Sequence, residues 1–273
     1  MADVPLTGRA DLHLHSTASD GLWSPAELAQ AVRAAGISAA AITDHDTTAG
    51  FAEFAASAEA LGVQPIAGAE IAAAHAGEEV HLLAYFPEPP LGPFSALLRR
   101  LSAERRGRAE EMLRRLAARG IAVPDADEIL AHPQVGRPHI ARALVRLGLA
   151  RDTGDAFRRY LTPGMPAYVE RYRPPAEEAI ALAGQEGGLV ALAHPGHYAL
   201  DHLAGLAAAG LAAVEVNHPS AGRAQRQALR RSAGEQDLLI TGGSDCHGVP
   251  GTRPGAAALG RADARRFLQR LFA

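Results

Sequence analysis

The chain has 273 residues, room for one large α/β domain or one with a sizeable insertion, and its 48% hydrophobic content supplies a full core. A formal net charge of -3 argues against a protein that coats long nucleic acid, while leaving room for a local basic pocket. A single cysteine, Cys246, excludes an intrachain disulfide, and neither a signal-peptide pattern nor a membrane-length apolar run is seen, so a cytoplasmic protein is expected.

From the N-terminus the first half alternates strand and helix signals. Residues 10–15 read as a short strand. Ser24-Pro25-Ala26-Glu27 is a capping box with proline at the first helical position, and its helix should stop at Gly36. Residues 37–43 form a short apolar run, expected as a buried strand. A second helix is predicted over 48–61, stopped by Gly62, followed by strands over 63–69 and 80–86.

The rhythm then breaks. Pro87, Pro89, Pro90 and Pro93 make a linker. A long charged amphipathic helix is predicted over 94–119, with shorter helices over 126–131, 139–147 and 152–160. Residues 90–166 therefore read as a helical insertion, a lid or substrate subdomain, within a domain made of 1–89 and 167–273. Beyond it, helices over 176–186, 203–209, 223–232 and 263–271 alternate with strands over 189–193, 213–217 and 238–241. Repeated βα units predict a parallel sheet. Seven strands suggest a closed or nearly closed barrel, with an open doubly wound sheet as the competing architecture.

The histidines and acidic residues gather at the strand ends. His13 and His15 close the first strand, Asp44, His45 and Asp46 the second, and Glu70 the third. His81 lies in the fourth; His194 closes the fifth; Glu215, Asn217 and His218 close the sixth; Asp245 and His247 follow the seventh. In a parallel barrel these ends open on one face, so the residues should converge. Side chains two apart on a strand point the same way, so His13 and His15 can reach one metal. Imidazole with carboxylate suits zinc, manganese or iron. The set is too large for one ion and suggests two or more, joined by a bridging carboxylate, which would generate hydroxide at neutral pH and clamp the oxygens of an in-line phosphoryl displacement. Each motif also has a plainer reading. Asp44-His45-Asp46 suits a helix cap, with Asp46 capping while His45 ligates, and His194-Pro195-Gly196 suits a strand-ending turn. The shared rim favours a metal site.

These residues carry a resemblance. Asp11-Leu12-His13-Leu14-His15-Ser16 through Ser19-Asp20-Gly21, then Ile42-Thr43-Asp44-His45-Asp46-Thr47, resemble the opening motifs of the PHP (polymerase and histidinol phosphatase) superfamily. Gly68-Ala69-Glu70-Ile71, His81, Ala193-His194-Pro195-Gly196 and Gly243-Ser244-Asp245-Cys246-His247 look like its remaining motifs. Gly136-Arg137-Pro138-His139-Ile140-Ala141-Arg142 and the run from Tyr160 to Val169 are similar to a branch of stand-alone phosphoesterases. That branch acts on nucleoside 3',5'-bisphosphates or trims RNA and short oligonucleotides from the 5' end.

The resemblance implies a distorted (β/α)7 barrel, often with three metals, commonly manganese, with zinc or iron as alternatives. His13, His15, Glu70 and Asp245 would hold one ion. Glu70, His81 and His194 would hold a second, with Glu70 bridging, and Asp20, His45 and His247 a third. The implied reaction is hydrolysis of a nucleotide phosphomonoester or phosphodiester by a metal-bridging hydroxide, with His218 or His197 as proton donor and Arg137 and His139, with His197 and His218, at the substrate phosphate. Two departures bear on that pocket: branch members often carry lysine where Met165 stands and arginine where His197 stands. His75, His132 and His202 read as surface histidines. Two other readings stand beside the main one: a histidinol-phosphate phosphatase on the same scaffold, and a non-catalytic metal-binding module. No membrane association and no obligate protein partner is expected.

Overall fold

Seven strands lie side by side in chain order in the computed structural model, which describes residues 8–196 and 199–273. They are β1 (Arg9–Asp11), β2 (Ile37–Ile42), β3 (Gln64–His75), β4 (Glu78–Phe86), β5 (Leu189–Leu192), β6 (Ala213–Asn217) and β7 (Leu239–Gly242). Ten helices are interleaved among the described residues: α1 (Pro25–Ala34), α2 (Phe51–Ala60), α3 (Pro93–Ala117), α4 (Ala126–Ala131), α5 (Arg137–Arg146), α6 (Thr153–Ala156), α7 (Ala176–Gln185), α8 (Ala199–Ala208), α9 (Arg223–Glu235) and α10 (Arg261–Leu271). The first and last strands meet past their ladders. Leu12 N–H donates to Gly242 O at 3.0 Å, Asp245 N–H donates to His13 O at 2.9 Å, and Leu14 pairs in parallel with Cys246. The sheet thus closes as a distorted seven-stranded barrel.

The sheet is not wholly parallel, which corrects the expectation of one. β1–β3 are parallel and β5–β7 are parallel, but β4 runs against both neighbours. The cause is local. β3 continues to His75, which pairs with Glu78 across a two-residue turn, Ala76-Gly77, with φ of 49° and 84°. Both central residues of such a turn sit in the left-handed region, the geometry that matches strand twist in a tight hairpin. A parallel partner would need a crossover of about a dozen residues or more. The reversal has a useful result: the start of β4, not its end, lies beside the far end of β3.

The capping box is formed as expected. Ser24 accepts the Glu27 N–H at 3.2 Å and the Glu27 carboxylate accepts the Ser24 N–H at 2.8 Å. Leu28 and Val32 then face inward from α1. The helix-cap reading of Asp46 is not met: α2 starts only at Phe51, with Gly50 as its cap, and Asp46 lies in a turn at φ 56°.

Two units divide the chain. One comprises residues up to Leu97 and from Arg173 onward; the other is Leu98–Tyr172. In the first, Leu12, Ile66, Leu83, Tyr85 and Phe267 share a buried cluster. Tyr85 donates to Leu12 O at 3.0 Å and meets Phe267 edge-on at 5.0 Å. Each such fully buried large side chain contributes about 1.5–3 kcal/mol. The second unit has its own core, including Met112, Leu116, Ile140, Leu144 and Leu161. Its α6 opens under an Asp152 cap and continues as a π-helical turn over Phe157–Leu161. No described helix is long and apolar enough to cross a membrane.

Candidate metal centre

Buried carboxylates hold the loops that carry the donors. Asp11 accepts from Ser244 N at 2.9 Å and from Gly255 N at 2.6 Å, tying β1 to the loop after β7. Burial pushes its carboxyl up despite those N–H groups. Asp44 accepts from Ser16 N and Oγ, both at 2.7 Å, and from Ser19 Oγ at 2.5 Å, so it organises the turn from His15 to Asp20. Gly243 must lack a side chain, because a Cβ there would stand 2.2 Å from His13 Cβ.

Glu70 is the hub. It is 2% exposed, and its two oxygens face different histidines. Oε1 lies 2.7 Å from His81 Nδ1 and 3.0 Å from His194 Nε2. Oε2 lies 3.4 Å from His13 Nε2, 3.3 Å from His15 Nε2 and 3.2 Å from His45 Nδ1. The reversed β4 makes this possible: Leu83 pairs with Glu70, and His81, two residues earlier, shares that face. Asp245 Oδ1 lies 3.4 Å from His13 Nε2 and 3.3 Å from His15 Nε2, while its Oδ2 is 3.5 Å from His218 Nε2. Asp20 faces His247 Nε2 at 3.3 Å and His45 Nε2 at 3.7 Å. Among the described residues four donor groups result, the first three linked through His15 and His13: His15, Asp20, His45 and His247; His13, His15 and Asp245; His13, Glu215 and His218; Glu70, His81 and His194.

The electrostatics fit a cation. Burial opposes ionisation of Glu70, yet His45, His81 and His13 hold its carboxyl well below the usual range. Burial likewise opposes charge on His15, but Asp245 and Glu70 overcome it and hold the ring up to about 10. Asp20 and Asp245 are also held down, by histidines that outweigh burial. His15 is fully buried, yet neither of its ring nitrogens makes a hydrogen bond of proper geometry. Buried donors are normally satisfied, so a ring left this way is suited to coordination. Two of the donors sit on strained backbone, His194 at φ 26° and Asp245 at φ 49°. Nitrogen and carboxylate donors without thiolate suit a divalent cation; Cys246 Sγ lies 3.6 Å from Thr252 Oγ1 and belongs to none of the groups.

All nine sequence-predicted ligands lie in these groups. His218 sits at their edge, with Nδ1 2.7 Å from Ser220 Oγ. His197 lies outside the described residues. Arg137 and His139 open α5 in the second unit. Arg137 Nη1 donates to Leu161 O at 3.4 Å and its guanidinium lies 5.4 Å from the Phe157 ring centre. His139 Nδ1 accepts from Gly136 N at 3.2 Å, and its ring packs on His132. Glu215 is a rim residue to which the sequence motifs assign no ligand role. It is 1% exposed and holds both His13 Nδ1, at 3.1 Å, and the His194 N–H, at 2.6 Å. Its signal was an acidic residue at an inward position of the otherwise apolar run Ala213-Val214-Glu215-Val216.

The PHP domain profile matches residues 11–136. A 5'-3' exoribonuclease of Haemophilus influenzae is 35% identical over 249 residues, 89% of this chain and 91% of that protein. The chain belongs to the PHP family. A second relative, a 3',5'-nucleoside bisphosphate phosphatase of Chromobacterium violaceum, is 33% identical over 250 residues, covering 88% of this chain and 87% of its own. Among solved structures, a candidate metal-dependent phosphoesterase from Bifidobacterium adolescentis superposes with a TM-score of 0.86 at 33% identity, covering 96% of both chains. PHP membership makes the chain a hydrolytic phosphoesterase whose donor cluster suits divalent metals. Neither the histidinol-phosphate phosphatase reading nor the non-catalytic one is favoured.

Proposed function

We propose that this PHP enzyme hydrolyses phosphate esters of nucleotides, removing the 3'-phosphate of nucleoside 3',5'-bisphosphates or trimming short oligonucleotides from the 5' end. The observation that carries the reading is the split allegiance of Glu70, whose two oxygens serve two histidine sets. The relatives named above, an exoribonuclease and a bisphosphate phosphatase, support the substrate class.

His13, His15, Glu70 and Asp245 would hold one ion, Glu70, His81 and His194 a second, and Asp20, His45 and His247 a third. Divalent ions supply Lewis-acid charge and lower the pKa of water, which is the chemistry an in-line phosphoryl displacement needs. Manganese is the first metal to test, with zinc and iron(II) next. The chain's own groups do the rest. Glu70 and Asp245 supply negative charge that holds cations close together. Glu215 keeps the His13 Nδ1 proton on the side away from Glu70 and Asp245, so that Nε2 faces them. His218, 3.5 Å from Asp245, would protonate the leaving alkoxide, and Arg137 would grip a substrate phosphate with two parallel N–H bonds.

Manganese-loaded protein should release phosphate from adenosine 3',5'-bisphosphate or shorten a 5'-phosphorylated oligoadenylate, and should lose that activity in chelator. Preference for histidinol phosphate over both nucleotides would sink the proposal.

A further inference from the structure

The chain returns to the first unit at Arg173, and the residues that follow are fastened to the hairpin that carries Glu70 and His81. Ala74 N–H donates to Pro174 O at 2.8 Å, and Ala74 pairs in parallel with Pro175. His75 Nδ1 lies 2.6 Å from Glu177 Oε1. Arg173 Nε donates to Glu79 Oε2. All of these residues belong to the first unit.

Glu79 stands on β4 two residues before His81, so both side chains leave the same face of the strand. Across the ladder Glu79 pairs with Ala74, His81 with Ala72 and Leu83 with Glu70. Directly opposed residues share a face, so Glu79, His81 and Glu70 lie on one side of the hairpin. The residues opposite Glu79 and His81 are alanines, short enough to leave that side to the carboxylate and the imidazole.

The His81 ring thus lies between two carboxylates. Its Nδ1 is 2.7 Å from Glu70 Oε1, and its Nε2 is 3.2 Å from Glu79 Oε1. A neutral imidazole carries a proton on one nitrogen and a lone pair on the other, and only the lone pair can ligate. His194 Nε2 also meets Glu70 Oε1, at 3.0 Å, so the lone pair of His81 is wanted on its Nδ1 side. A carboxylate facing Nε2 keeps the proton there. Arg173 engages Oε2 and leaves Oε1 facing the ring. An exposed Glu–Arg pair on a hairpin does little by itself. This one shares its carboxylate with a donor of the metal centre.

We propose that Glu79 is a positioning residue: it accepts the Nε2 proton of His81, so that Nδ1 presents its lone pair beside Glu70 and His194, and Arg173 holds the Glu79 carboxylate in that orientation. The inference rests on the assignment of His81 as a ligand and extends it outward. It does not depend on which phosphate ester is cleaved.

The test reads metal, not turnover. Full-length protein stripped with chelator is titrated calorimetrically with manganese, and bound ions are counted by metal analysis. Glu79→Ala should weaken one class of site about 10–100-fold, the range for loss of an outer partner. His81→Ala should abolish that same class. Glu79→Gln keeps an acceptor oxygen and should fall between Glu79→Ala and the wild type. Arg173→Gln should weaken the same class, by less than Glu79→Ala. Glu78→Ala, at an exposed position on the opposite face of β4, should change nothing. In zinc-loaded protein with isotope-labelled histidine, long-range nitrogen–proton correlation should show His81 protonated at Nε2, its signals assigned by their absence in His81→Ala. Glu79→Ala should scramble or reverse that tautomer. Protonation at Nδ1 in the wild type overturns the proposal, as does a Glu78→Ala effect as large as that of Glu79→Ala. Loss of sites in His81→Ala with none in Glu79→Ala sinks this inference alone. Unchanged binding in both variants sinks the parent assignment of His81.

Discussion

His13 and Glu215 are joined through a buried contact of 3.1 Å between Nδ1 and Oε1, and the other Glu215 oxygen takes the backbone N–H of His194 at 2.6 Å. One carboxylate thus steadies a donor from each of two groups. Outer partners of this kind fix the tautomer of a ligating imidazole. Glu215→Gln places an amide N–H against one of the two donors and should weaken metal affinity about 10–100-fold. Ions held by His13 and by His194 should be weakened together, while the Asp20, His45 and His247 group keeps its own. Calorimetric titration with manganese, paired with metal analysis, reads this directly; an unchanged affinity profile would remove Glu215 from the centre.

Glu70→Ala removes the shared carboxylate from five histidines. More than one bound ion per chain should be lost, and kcat should fall at least about a hundredfold, the upper end for loss of a mere outer partner. Retention of full metal content and activity would contradict the bridging assignment.

Metal-free and metal-loaded protein should respond to alkali in opposite senses. In the metal-free chain His15 is raised to about 10, so its ion pairs contribute stability that is complete below the unfolded imidazole value of 6.5 and is lost as pH rises through the folded one. Coordination needs the neutral ring, so metal binding expels protons and tightens as pH rises. Thermal melts between about pH 7 and 10 should diverge, falling in chelator and holding or rising with manganese. Parallel curves would count against histidine coordination.

Gly243→Ala should unfold the barrel closure. The added carbon would meet His13 Cβ at 2.2 Å, His13 N at 2.4 Å and His13 Cα at 2.8 Å, which are atoms at the backbone and cannot swing aside. A loss above about 3 kcal/mol is expected in urea unfolding, beyond the usual range for overpacking. A neutral result would show that the loop after β7 shifts freely from β1.

The rhythm of strands and helices was legible in the sequence because buried strands and capped helices have strong periodic signatures. β6, for instance, spans Ala213–Asn217 as its apolar run implies. The reversal of β4 was not, because Ala76-Gly77 lacks the asparagine or aspartate that usually marks a tight hairpin. The donors were legible as types at strand ends. Their partners were harder: Asp11, Asp44 and Glu215 act through contacts with residues 21 to 244 positions away, which no local pattern reveals.

The hairpin also imposes an order on how the centre comes together. Glu70 and His81 are 11 residues apart and are set face to face by a two-residue turn, whereas Glu70 reaches His13 across 57 residues and His194 across 124. Closing longer loops carries a larger entropic penalty. The carboxylate and its nearest imidazole can therefore meet while the rest of the chain is still open, giving an early ion a first foothold on which the distant strands later converge.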